Sequence, residues 1–187
     1  EPSRNPDHDT AFADALSGLI GGAVTGAVAE DAAAPIPAHA QSSIGNTEPI
    51  AQVSGDRSGM IQGQTGLLPL QIIAESSWTG FVNSPPSRID GMRRHVPLVV
   101  GFGGQVYPSL VLQIVMRIEG VRAENVAVAL GDSVVITRPD GSQRRIPIDR
   151  RGLLELDADE QPASKAAAAS AAMDREDFGF MVRSCGG

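Results

Sequence analysis

The alternation of apolar and polar residues predicts three helices and a series of short strands. Apolar residues recur at every third or fourth position in 10–20, 66–77 and 108–120, a spacing that is typical of a helix packed along one side. Short apolar or alternating runs bounded by glycine, proline or aspartate predict strands. These runs are residues 23–29, 79–83, 95–102, 105–109, 125–131, 133–138, 142–148, 153–157 and 178–182.

Glycine and aspartate at the ends of these runs predict how the strands are joined. Gly103 and Gly104 separate two apolar runs and favour a hairpin, because glycine adopts positive φ without strain. Residues 139–141 and 149–152 also have the composition of tight hairpin turns between successive strands. Helices mixed with hairpins predict an α/β or α+β fold, in which helices pack on a mixed sheet with an antiparallel hairpin portion.

Two segments lack such a pattern. Residues 31–65 are rich in proline, alanine, serine, glycine and glutamine and show no sustained period, which predicts a long excursion from the core. Residues 158–187 include an alanine-rich run at 163–172 that favours a helix by propensity, either packed or held weakly as a tail. The whole chain, 1–187, is interpreted as one domain.

Composition and charge narrow the class of protein. Hydrophobic residues make up 42% of the chain but aromatic residues only 4%, so we expect a core of aliphatic side chains. The net charge of −7 argues against nucleic-acid binding, which usually needs a basic face.

No apolar run approaches the roughly 20 residues of a membrane helix, and the single Cys185 allows no internal disulfide. The chain begins at Glu1 without a signal pattern, which predicts a mature or excised fragment.

Candidate catalytic and metal-binding residues are few. His8, His39 and His95 are far apart in the sequence. None has a second histidine or a carboxylate three or four residues further along a clear helix, so no metal or other cofactor is expected. The glycines of 101–104 precede a second short strand and not the helix of a dinucleotide-binding loop. A serine hydrolase would need His95 beside a serine and a carboxylate, since the chain has no G-x-S-x-G motif.

The densest charged segment is RIDGMRRH, residues 88–95. Its candidate ligand-binding residues are Asp90, Arg93, Arg94 and His95. Arginine forms forked hydrogen bonds with carboxylates, so this segment could hold an anionic ligand or a partner carboxylate. The alternative is a solvated turn that opens a strand, with Asp90 at the bend.

Five short motifs follow one another through the central part of the chain. They are Gly80–Asn83, Asp90–Gly91 with Arg94, Pro97–Leu98, Tyr107–Leu110, and a final group of Ile146, Pro147, Asp149 and Gly152. This series resembles the CHASE2 family of sensory domains over about residues 7–157. Two features depart from the family pattern. Arg88 stands where the family usually has an aspartate, and alanine-rich sequence follows where the family has a further strand.

The resemblance implies a location and a role. CHASE2 domains are extracytoplasmic sensors of bacterial membrane receptors, usually followed by membrane helices and a cytoplasmic cyclase or kinase. The resemblance therefore implies a membrane-tethered sensory domain whose stimulus is an unknown small molecule or protein. Together with the lack of catalytic motifs in the sequence, it predicts that the chain is not an enzyme, and a homodimer is a possible assembly. Two alternatives are a dimerisation or protein-interaction module that binds no ligand and, more remotely, a periplasmic hydrolase.

Overall fold

A computed structural model describes residues 6–20, 22–30, 43–84 and 94–156. The chain divides into two units, Glu1–Glu155 and Leu156–Gly187. Only Leu156 of the second unit is described, so the alanine-rich segment and the predicted strand 178–182 lie outside the described residues. The interpretation of 1–187 as one domain stays a prediction.

Three α-helices and one 3-10 turn occur in the described residues. They are α1 (Pro6–Ser17), α2 (Gln71–Glu75), α3 (Leu110–Ile118) and the turn Ala123–Asn125. Helix α3 lies within the predicted run 108–120 and starts at Leu110, because the Ser109 hydroxyl caps it by accepting a hydrogen bond from the Leu112 amide. No helix in this part of the chain is long and apolar enough to cross a membrane.

Twelve short strands are found in the same residues. They are β1 (Val24–Glu30), β2 (Gln52–Ser54), β3 (Gln62–Gly63), β4 (Thr65–Leu67), β5 (Trp78–Phe81), β6 (His95–Pro97), β7 (Val99–Phe102), β8 (Gln105–Pro108), β9 (Val126–Ala129), β10 (Ser133–Thr137), β11 (Gln143–Pro147) and β12 (Leu153–Glu155). Every strand predicted before residue 157 is present, although the run 95–102 is divided at Leu98.

Parallel and antiparallel pairs are mixed in the sheets. Strand β1 lies between antiparallel β4 and parallel β5, and β7 lies between parallel β3 and antiparallel β8. Strand β10 pairs antiparallel with both β9 and β11, and β2 adds to β9 in parallel. This mixed arrangement with hairpins and packed helices confirms the predicted fold class, in its α+β form.

Two clusters of buried side chains hold these elements together. The larger is mostly aliphatic and joins α3 to strands β7, β9 and β10 through residues such as Leu112 and Val134. The second contains Phe81, Phe102 and Tyr107, whose ring centroids lie between 5.2 and 6.4 Å apart. The expected aliphatic core is therefore correct for the larger cluster and wrong for the second, which concentrates several of the few aromatic residues.

The C-terminal end of α3 is tied to the β10–β11 hairpin by charge. Glu119, which caps the helix, receives hydrogen bonds from Arg138 and from Arg144, the latter at 2.7 Å. The Glu119 side chain is only 6% exposed, so these ion pairs form at a nearly closed contact. They fix the helix end against the hairpin.

The structure corrects three further sequence predictions. Residues 66–77 do not form one helix, because 65–67 pair with β1 as a strand and only Gln71–Glu75 is helical. Within 31–65, two strands join parallel neighbours but are too short to produce a sequence pattern. The turn 149–152 leads to β12, which pairs with β6 and not with β11.

Candidate ligand-binding cavity

The site predicted from the sequence is only partly described. Asp90 and Arg93 lie outside the described residues. Arg94 is exposed immediately before β6, and His95 is the first residue of that strand, opposite Glu155 of β12. No serine or carboxylate within the described ranges hydrogen-bonds to His95, so the arrangement that a serine hydrolase needs is not seen there. The ligand-binding role of this segment stays a prediction.

A different group of residues lines a cavity of about 280 Å³ beside β5 and α3. Its polar lining consists of Asn46, Glu48, Gln113, Arg117 and Arg122, and its apolar lining of Trp78, Met116 and Ala123. These residues come from the loop before β2, from β5, from α3 and from the turn that follows α3. Because these parts are distant in the sequence, only the folded chain forms the cavity.

The close approach of α3 to β5 forms one wall of this cavity. A Cβ atom at Gly80 would lie 2.5 Å from the Leu110 Cα atom, which is closer than a side-chain carbon can approach. Glycine at this position therefore lets the first turn of α3 lie directly against β5. Gln113 and Arg117 follow on α3 with a spacing of four residues, so they share a helix face. Trp78, at the start of β5, lines the same cavity.

The loop that carries Asn46 and Glu48 is fixed to β5 by Thr47. The buried Thr47 hydroxyl accepts a 2.6 Å hydrogen bond from the Thr79 amide and donates a 2.9 Å hydrogen bond to the Thr79 carbonyl oxygen. The Asn46 Nδ2 atom also donates to the Glu75 carbonyl oxygen at 2.8 Å. This anchoring leaves the Asn46 Oδ1 atom and the Glu48 carboxylate as hydrogen-bond acceptors in the cavity lining.

Arg117 lies over the ring of Trp78. Its guanidinium carbon is 4.2 Å from the ring centroid, and its Nη2 atom donates a 2.5 Å hydrogen bond to the Val121 carbonyl oxygen. Burial lowers the pKa of Arg117 and the charge of Arg122 lowers it further, whereas Glu48 acts in the opposite direction. The Nε atom is buried and has no hydrogen-bond partner in the described chain. An acceptor that reached this guanidinium would therefore stabilise it.

Gln113 is the least expected residue in the wall. It is only 2% exposed, and its Oε1 atom is buried without a hydrogen-bond partner among the described residues. Most buried polar atoms in proteins have a partner, and one without a partner costs about 1–3 kcal/mol. A donor that reached this atom from the cavity would remove that cost.

None of the cavity residues belongs to the segment that the sequence predicts as the site. A signal is nevertheless present, because Gln113 and Arg117 are polar residues with helical spacing in an otherwise apolar helix. Trp78 is also the only tryptophan of the chain. The sequence gives no sign that these residues meet Asn46 and Glu48, because that contact depends on pairing between distant parts of the chain.

The chain matches no protein-family model, no curated protein and no solved structure. The CHASE2 resemblance therefore rests on the sequence motifs alone and stays a prediction. No group of three or more histidine, cysteine, aspartate or glutamate side chains in the described ranges is placed to hold a metal ion. By fold and site, this part of the chain is an α+β domain with a small polar cavity.

Proposed function

We propose that this chain is the extracytoplasmic sensory domain of a bacterial membrane receptor, and that it binds a small ligand in the cavity between β5 and α3. Ligand binding favours one packing of the domain, and membrane helices relay the change to a cytoplasmic cyclase or kinase. The CHASE2-like motif series supports the location and the output. The cavity supports ligand binding.

The buried carboxamide of Gln113 carries this proposal. A polar atom without a partner destabilises the unliganded domain, and a ligand that hydrogen-bonds to it removes that penalty. Gln113 and Arg117 both belong to α3, so a ligand that contacts them acts directly on a helix of the core. If the ligand binds more tightly to one position of α3 than to another, it has the difference in affinity between two conformations that a sensor requires.

Thermal unfolding in the presence of metabolite pools tests ligand binding. A ligand at about 100 times its dissociation constant stabilises the folded domain by about 2.7 kcal/mol, which raises Tm by roughly 5–10 °C at this size. We expect at least one pool to raise the Tm of the wild type but not of Gln113→Met. Gln143→Met, at an exposed position of β11, is the matched control and should respond as the wild type does. If no pool raises the wild-type Tm, the domain is not a small-molecule sensor.

Signal relay and location require a test in cells. The chain replaces the sensory domain of a bacterial membrane receptor whose kinase or cyclase output can be measured. We expect the stabilising pool to change the output of this fusion, and the Gln113→Met fusion to remain unresponsive. A fusion that is exported and folded, but whose output ignores a ligand that binds the purified domain, would contradict the relay.

An apolar stripe on α3 favours a second candidate function, dimerisation without a ligand. Val111, Ile114 and Ile118 are 43%, 42% and 80% exposed, and their spacing places them on one face of the helix. An exposed apolar patch of this kind often marks an interaction surface, and a second copy of the chain would cover it. Light scattering after size-exclusion chromatography should then show a dimer that Ile114→Glu converts to a monomer. A wild-type monomer at high concentration would remove this candidate.

A further inference from the structure

The charges that line the cavity are unequal. Arg117 and Arg122 contribute positive charges, and Glu48 contributes the negative charge. No hydrogen bond or ion pair within the described chain engages the Arg122 guanidinium, and the Nε atom of Arg117 is also unpaired there. The two guanidinium groups repel each other. A carboxylate would offset this repulsion and accept forked hydrogen bonds from arginine, so the cavity favours an anionic group.

The same cavity offers acceptors that have no donor. The Oδ1 atom of Asn46 accepts no hydrogen bond in the described chain, where the Nδ2 atom of the same side chain donates to the Glu75 carbonyl oxygen. The exposed Glu48 carboxylate has no hydrogen bond or ion pair among these residues, and the Oε1 atom of Gln113 is buried and unpaired. A simple carboxylate would leave these acceptors unmatched and would be repelled by Glu48. A ligand that also carries an ammonium group matches both sets of partners.

We propose that the ligand is a small zwitterion of the amino-acid type, whose carboxylate contacts Arg117 and Arg122. This assignment rests on the proposed sensory function. Its ammonium group meets Glu48 and the carboxamide of Gln113. The cavity volume of about 280 Å³ lies just below the roughly 300–1,000 Å³ of sites for larger ligands, which fits a single amino acid better than a peptide. Trp78 supplies an apolar surface for the side chain of the ligand.

Calorimetric titration of the purified protein with the proteinogenic L-amino acids tests this assignment. Each amino acid that binds is compared with two single-charge relatives, the carboxylic acid that lacks the amino group and the amine that lacks the carboxyl group. We expect at least one amino acid to bind saturably. Both of its relatives should bind at least about tenfold more weakly, because each loses a charge-assisted set of hydrogen bonds.

Two exposed residues of the cavity give variants that should keep the fold. Arg122→Gln removes a partner of the carboxylate and Glu48→Gln removes the partner of the ammonium group, and each should weaken binding at least about tenfold. Arg57→Gln and Glu124→Gln make the same changes of charge at exposed positions outside the cavity lining. These two control variants should bind the amino acid as the wild type does.

The outcomes separate this assignment from the sensory function. If metabolite pools stabilise the domain but the active compound lacks an amino or a carboxyl group, the zwitterion assignment is wrong and the sensory function stands. Amino-acid binding that is unchanged in both cavity variants means that the ligand lies elsewhere, which also overturns the assignment. If no compound of any class binds, the sensory function itself fails.

Discussion

Replacing Gln113 with methionine is expected to stabilise the unliganded domain, although most substitutions of buried residues destabilise a protein. Methionine is unbranched like glutamine and has a similar helix propensity. The substitution therefore keeps the shape of a residue that packs in α3 and removes only the carboxamide. That carboxamide has a buried Oε1 atom without a partner in the described chain.

The size of the effect follows from the desolvation of this group. A buried polar atom without a partner costs about 1–3 kcal/mol, and a volume-conserving exchange in a core costs less than about 1.5 kcal/mol. Gln113 is 2% exposed, as is its neighbour Met116, so solvent relieves little of the desolvation penalty. The net result is a gain of about 1 kcal/mol, which corresponds to a rise in Tm of roughly 2–4 °C.

Urea unfolding followed by circular dichroism measures this gain. The slope of the transition should not change, because the substitution hardly alters the surface that unfolding exposes, so the gain appears as a higher midpoint. The exposed control Gln143→Met should stay within about 0.5 kcal/mol of the wild type. The stabilised Gln113→Met variant should also lose its response to ligand. This combination of higher stability and lost response is expected when the wild-type polar group is retained for function.

A loss of more than about 1 kcal/mol in Gln113→Met would refute this reasoning. Such a loss would mean that the carboxamide is hydrogen-bonded in the unliganded protein, and the residue would then need no ligand to explain it. A variant that is stabilised but still responds fully to ligand would show that the carboxamide takes no part in binding.

Three further predictions concern the elements that shape the cavity and the end of α3. Gly80→Ala should lower the unfolding free energy by about 1–3 kcal/mol, because its Cβ meets the α3 backbone. Gly26→Ala, at the paired position of β1, meets only a movable valine side chain, and equal urea midpoints for the two variants would contradict the close approach of α3. Thr47→Val leaves the Thr79 amide and carbonyl oxygen without their hydroxyl partner and should cost about 2 kcal/mol in urea unfolding. An unchanged midpoint would show that another contact holds the loop. A hydrogen bond from Arg138 holds the pKa of Glu119 below its ordinary value of 4.5. The ionised Glu119 therefore stabilises the fold above pH 4.5, and this stabilisation is lost as the pH falls through the folded-state pKa. Glu119→Gln should therefore lower Tm at about pH 7 and progressively less toward about pH 3, and a difference that does not narrow would refute this linkage.

Elements that form through contacts between residues close together in the sequence can be predicted from this chain. Helix α3 is predicted by its apolar periodicity, and Ser109 marks its start because the capping hydrogen bond is local. Gly103 and Gly104 predict the β7–β8 hairpin, and both adopt positive φ, 55° and 80°. Each of these features needs only a few consecutive residues, so the local sequence is sufficient.

Elements whose backbone pairs with distant strands cannot be predicted in the same way. Residues 66 and 67 begin an apolar stretch with helical spacing, but the backbone of 65–67 pairs with β1 and the helix is confined to Gln71–Glu75. The cavity has the same origin, since Thr47 must bond to Thr79 before the loop and β5 can form its wall. Gln113 is visible in the sequence as a polar residue in an apolar helix, but its missing partner is visible only in the fold.

Tryptophan fluorescence tests most directly whether this cavity is the sensory site. Trp78 is the only tryptophan of the chain, and its ring contacts the Arg117 guanidinium in the cavity wall. A ligand that engages Arg117 changes the surroundings of this ring and thus its emission. We predict a saturable change in emission with the dissociation constant that calorimetry gives, and no such change in Gln113→Met. A ligand that stabilises the domain while the emission of Trp78 stays constant would contradict the claim.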